Sequence, residues 1–184
     1  MNRRIKKVKY DGAKVIIHYE VERGEGKIDE YDMSCVDAPT AEFKKAMDAL
    51  KSLIEEWCDM PGIKTEAIEI RGTFFSWKHG IFGGGFTAIR PLKNCNSPLV
   101  INAPHKPSEP YSDGGDESTC LTGIESELLC EVCRQAELYL DGERAQMELP
   151  LEDGVSELTL SSSGKTVTMN ADTIKKIDRM LEKC

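Results

Sequence analysis

Between Val15 and Val21 the chain alternates strictly, with Val15, Ile17, Tyr19 and Val21 on one parity and Ile16, His18 and Glu20 on the other. A period of two places one set on one side of a β-strand and requires that side to be covered. Ile5 to Tyr10 is a second strand, joined to it at the Asp11-Gly12 turn signal, and Lys27 to Ser34 follows the Gly24-Glu25-Gly26 turn as a third. The chain must therefore provide apolar cover for an antiparallel sheet.

Two segments provide it. Pro39-Thr40 opens a helix near 40–58 in which Phe43, Met47, Leu50, Ile54 and Trp57 share a face. Thr122-Gly123-Ile124-Glu125 is a capping-box pattern that starts a second helix near 122–146, striped by Ile124, Leu128, Val132, Ala136 and Tyr139. Glu66 to Lys78 reads as a strand with Ile68, Ile70 and Phe74 inward, and Phe86 to Leu92 as its hairpin partner. The expected fold is α+β: an antiparallel sheet of about five strands covered by two long helices. Residues 1–147 form this core domain, with an extended Pro-rich arm at 94–120, where Pro98, Pro104, Pro107 and Pro110 forbid a helix. Residues 148–184 read as a small tail, a C-terminal β-hairpin plus helix, with strands near 157–160 and 165–169 and a helix capped by Asn170.

Composition narrows the class. At 40% hydrophobic and 30% charged residues, and without an apolar run of roughly 20, the chain reads as soluble rather than membrane-spanning. The basic start lacks the apolar stretch of a secretion signal, and seven irregularly spaced cysteines fit free thiols in a reducing compartment, so a cytoplasmic location is expected. The net charge of −8 is segregated: residues 1–28 carry eight Lys and Arg against four Asp and Glu, whereas 109–157 carry two against fourteen. Such a split either turns different faces to different partners or is a solvated acidic helix.

The chemistry concentrates between Phe74 and Gly115. Trp77, Phe82 and Phe86 offer planes for stacking, Arg71, Lys78, Arg90 and Lys93 offer positive charge, and His79 and His105 flank them. Gly83, Gly84 and Gly85 read as a loop whose backbone can approach a ligand closely. Planes plus cations suit a small anionic nucleotide-type ligand. The plainer alternative is a hairpin with Phe74 and Phe86 in the core and a flexible glycine tip.

Other motifs are weaker. Cys130-Glu131-Val132-Cys133 has CxxC spacing but lacks a second ligand pair, so buried helix cysteines are expected and no metal is assigned. Gly164-Lys165-Thr166 lacks the first glycine of a phosphate-binding loop and reads as a hairpin turn. His105 with Cys95 or Cys120 is the one nucleophile–base pairing to name, without an orienting third group. No cofactor is called for.

The run from Asn94-Cys95-Asn96-Ser97-Pro98 through Asn102-Ala103-Pro104-His105-Lys106-Pro107 to Asp116-Glu117, with Tyr139-Leu140-Asp141-Gly142-Glu143-Arg144-Ala145-Gln146, resembles a family of small proteins predicted in tailed-bacteriophage genomes. The resemblance covers roughly residues 5–147. It implies a setting, a phage product in the bacterial host cytoplasm, and carries no activity, cofactor or site residue.

Two functions then compete. One is a non-enzymatic binder that sequesters a nucleotide-type ligand, such as an immune signal, or blocks a host defence protein. The alternative is a single-stranded nucleic-acid-binding accessory factor in phage replication or recombination, which the overall acidity disfavours. Self-association through the arm and the tail is expected, because the arm is more apolar than a free loop needs and the tail buries little alone.

Overall fold

The computed structural model describes residues 3–24, 26–145, 157–162 and 165–170, which fall into two compact units, 1–146 and 147–184. The first unit contains β1 (Arg3–Tyr10), β2 (Val15–Glu22) and β3 (Ile28–Cys35). Helix α1 (Ala41–Ala49) follows, then a 3-10 turn and the short helix α2 (Ile54–Trp57). Next come β4 (Glu69–Lys78), β5 (Ile81–Leu92), β6 (Cys95–Asn102), the two-residue β7 (Lys106–Pro107) and helix α3 (Gly123–Leu140). The sheet has seven strands in the order β3-β2-β1-β4-β5-β6, with β7 also on β5, and all pairs are antiparallel. The α+β class therefore holds, but the sheet has seven strands where about five were expected.

The two extra strands come out of the arm. Prolines exclude a helix but not an edge strand, and residues 95–107 line the free edge of β5. Thr40 caps α1 by accepting a hydrogen bond from the Phe43 N–H, as Pro39-Thr40 suggested, and the 3-10 turn at Leu50–Leu53 interrupts the expected single helix. Thr122 and Glu125 form the capping box of α3, which ends at Asp141-Gly142 rather than reaching residue 146.

One face of the sheet meets these helices. Ile5, Val8, Val15, Ile17, Phe75, Phe86 and Ala88 pack there against Phe43, Leu50, Ile54, Trp57, Leu129, Val132 and Tyr139. Two bulges decide which residues reach that face. Lys6 is the extra residue between Ile5 and Lys7 against β2, so Ile5 and Val8 are both buried although three positions apart. Arg71 is the extra residue between Ile70 and Gly72 against β5, which reverses the parity of β4. Thr73 and Phe75 therefore turn inward, and Phe74 turns outward, contrary to the simple alternation.

In the second unit, β8 (Glu157–Ser162) and β9 (Lys165–Asn170) form an antiparallel hairpin, with Lys165 opening β9. The expected tail helix lies outside the described residues. Among the described residues, no helix is long and apolar enough to cross a membrane.

Candidate functional site

The opposite face of the sheet carries the candidate site. A hollow of about 820 Å³ opens there, lined by Lys7 and Lys9 of β1, Ile16 of β2, Phe74 of β4, Thr87 and Ile89 of β5, and the turn residues Asp11 and Lys14. Arg71, the bulged residue of β4, also reaches it. This volume lies in the range of small-molecule sites. Four cations rim it against one carboxylate, over a floor of Ile16, Phe74 and Ile89.

Local chemistry places each cation. Lys7 and Lys9 alternate with buried Val8, so packing Val8 under the helices turns both lysines outward. The β1–β2 connection spans residues 11–14, longer than the two-residue turn the sequence suggested, and its conformation is held by Asp11. The Asp11 carboxylate accepts from the Ala13 N–H at 2.9 Å and the Lys14 N–H at 3.0 Å. These backbone bonds lower its pKa, so Asp11 is committed as an anion to the turn. Arg71 pairs with Glu69 at 2.6 Å.

Beside the hollow two rings lie against glycine positions of β5. Phe74 and His105 are near-parallel, with centroids 6.3 Å apart and planes at 22°. Phe74 lies opposite Gly85, and Ser76 lies opposite Gly83. A methyl group at Gly85 would meet the Phe74 ring and stand 2.8 Å from the Pro104 carbonyl oxygen. One at Gly83 would stand 2.8 Å from both the His105 ring and the Lys106 carbonyl oxygen. The missing side chains let both rings lie down across β5, and the Ser76 Oγ–His105 Nε2 hydrogen bond of 2.6 Å holds the imidazole in place. Partial burial lowers the His105 pKa and favours the neutral ring.

These positions correct the expected site. Gly83, Gly84 and Gly85 are not a loop; the hairpin turns at His79-Gly80, with His79 at φ 56°, and all three glycines are buried in β5. Gly83 and Gly85 face the open side, whereas Gly84 faces Leu129 and Phe75. Phe86 is fully buried with its ring 5.4 Å from that of Trp57. Trp77 and Phe82 pair across the strands at 5.6 Å and pack against the core, away from the hollow. Lys78 lies over the Tyr111 ring at 5.0 Å. Arg90 follows Phe86 and Ala88 on the helix-side parity, and Lys93 is exposed in the β5–β6 turn. Of the residues singled out in the sequence, Arg71 lines the hollow and His105 adjoins it through Phe74. Scanned against family models, curated proteins and solved structures, the chain matches none. Function must then be argued from the site itself.

Sequence reasoning missed Lys7, Lys9, Lys14, Ser76, Thr87 and Ile89. The signal for the first two was present in β1, where the positions flanking buried Val8 are both lysine.

The cysteine motifs resolve simply. Cys130 and Cys133 both lie on α3, but Cys130 is exposed rather than buried as expected, because Leu129 and Val132 take the inward positions; Cys133 is half-buried, and burial pushes its thiol up to about 12, which keeps it protonated. Among the described residues, no three His, Cys, Asp or Glu side chains gather as a metal site. His105 meets Ser76 rather than a cysteine.

Proposed function

We propose that the protein is a non-enzymatic binder that captures a small anionic ligand of nucleotide type in the hollow on the sheet face opposite α1 and α3. The observation that carries this reading is the ring of Lys7, Lys9, Lys14 and Arg71 around the floor of Ile16, Phe74 and Ile89. Clustered cations on a concave, partly apolar surface favour an anion joined to a planar group over a free anion. In the phage setting that the resemblance implies, such capture in the host cytoplasm would sequester a nucleotide immune signal or block a host defence protein that uses one.

A panel of mononucleotides and cyclic dinucleotides, read by thermal shift and calorimetry, tests the reading, because a ligand selective for the folded state raises Tm by mass action. Lys9→Glu should weaken binding about tenfold or more while leaving the unliganded melting temperature near wild type. A flat response across the panel removes the proposal.

The second reading, a single-stranded nucleic-acid accessory factor, is favoured by the continuation of the sheet face opposite α1 and α3 from the hollow through Phe74 to His105. It predicts oligonucleotide affinity that falls steeply with salt, with a log–log slope near −0.7 per phosphate contacted. Mononucleotide capture predicts a much shallower slope.

Self-association belongs to the same proposal. The Ala103 N–H donates to the Phe86 carbonyl, so by antiparallel alternation Leu99 and Ile101 bond toward β5, and Val100 and Asn102 point their backbone groups outward. This edge strand contains no charged residue, and Leu99 and Val100 are exposed, whereas the opposite edge carries Asp29, Glu30 and Asp32. Natural sheets protect such an edge with charge or proline; here Pro98 removes one outward N–H, while Val100 and Asn102 keep theirs. Sedimentation of the full chain should give a dimer that Val100→Lys converts to monomer. A wild-type monomer would count against association through the arm.

A further inference from the structure

We infer that the Phe74–His105 pair is a base-stacking subsite selective for purines, placed beside the cationic hollow so that one ligand spans both. The inference rests on the hollow being an anion site and adds what that reading leaves open, the chemical class of the planar group.

Three observations converge. The two rings lie within 22° of parallel at a centroid separation of 6.3 Å, so together they form a surface about as long as a fused bicyclic base. A six-membered pyrimidine would cover only one of them. Both rings lie against glycine positions of β5 and fill the space that side chains at Gly83 and Gly85 would take. His105 is exposed, and Phe74 is half-buried and borders the hollow. Finally, Ser76 restrains the imidazole, so little ordering remains to oppose stacking. Ser76 is thus a positioning residue that acts through His105.

Phe74 belongs to both regions, which sets the order of the ligand: base over Phe74 and His105, phosphates toward Lys7, Lys9, Lys14 and Arg71. The neutral imidazole suits this arrangement, because it stacks without adding a hydrated charge under the base.

Calorimetric titration of the full chain with ADP, UDP and inorganic pyrophosphate separates the two regions. ADP should bind about tenfold or more tightly than UDP or pyrophosphate, since a stacked base contributes on that scale. His105→Ala should lower ADP affinity roughly tenfold and leave pyrophosphate binding unchanged, and Ser76→Ala should lie between wild type and His105→Ala. The His105 ring carbon proton should also shift upfield on adding ADP and not on adding pyrophosphate. If pyrophosphate binds and ADP binds no better, or if His105→Ala leaves ADP affinity unchanged, the stacking subsite is refuted while the hollow stands. If UDP matches ADP, purine selectivity is refuted. If none of the three binds, the hollow and the subsite fall together.

Discussion

Glu125→Ala should destabilise the protein by about 3–5 kcal/mol, the range expected when one partner of a buried ion pair is removed. Glu125 is 4% exposed on the first turn of α3. One carboxylate oxygen accepts from the Trp57 indole N–H and from Lys106 Nζ, the latter at 3.2 Å, and the other accepts from the Thr122 N–H at 2.6 Å. Lys106 also sits 4.8 Å from the centroid of the Trp57 ring. One carboxylate thus ties together α2, the edge strand β7 and the start of α3. Alanine leaves an ammonium, an indole N–H and a backbone N–H without their acceptor. Urea unfolding with an unchanged m-value would measure the loss. A deficit below 1 kcal/mol would show that the cluster is not structurally important.

The same residue sets an acid limb. Burial pushes the Glu125 pKa up, but the Thr122 backbone N–H, the Trp57 indole, the Thr122 hydroxyl and Lys106 together outweigh it, and the net shift is downward. A carboxylate with a depressed folded-state pKa contributes stability that is present above its unfolded pKa and lost as pH falls through the folded one. Wild-type stability should therefore drop below the ordinary glutamate range, and Glu125→Gln, which cannot titrate, should show a shallower drop. The lowered pKa values of Asp11, Asp116 and Glu131 act in the same direction and remain in the variant, so the difference between the two curves isolates Glu125.

Gly85→Ala should cost about 1–3 kcal/mol, an overpacking penalty without any unusual backbone angle to blame. The added methyl would meet the Phe74 ring and the Pro104 carbonyl oxygen, and the second contact is backbone, so relief requires β5 and the following edge segment to separate. Gly123→Ala is the matched control. Its methyl has nothing within 4 Å at the first helical residue of α3, where alanine's better helix propensity makes the change neutral or mildly stabilising. Thermal unfolding of the two variants should move in opposite directions or differ by several degrees. Equal melting temperatures would mean that the glycine seat is not tightly packed.

Glycine is informative here because its sequence signal is ambiguous. Three in a row suggest a mobile loop, yet a strand tolerates them when neighbouring side chains occupy the vacated space. Phe74 and His105 do so from β4 and from the segment after β6, 11 and 22 residues from Gly85 and Gly83 respectively. The stripe of α3 shows a similar limit. Ile124 is 72% exposed and Glu125 is buried, the reverse of their hydropathies, because the capping box and the Trp57–Lys106 contact draw the carboxylate inward.

The α+β class, the alternation of β2, the caps of α1 and α3 and the apolar cover of the sheet are all legible in the order of the residues, because each follows from periodicity or from a bond spanning three residues. Which face of β4 carries Phe74, where the glycines lie and which cations share a hollow emerge from the folded chain alone. Those outcomes depend on single-residue bulges at Lys6 and Arg71 and on pairings between distant strands, and one inserted residue reverses the side to which every later side chain points.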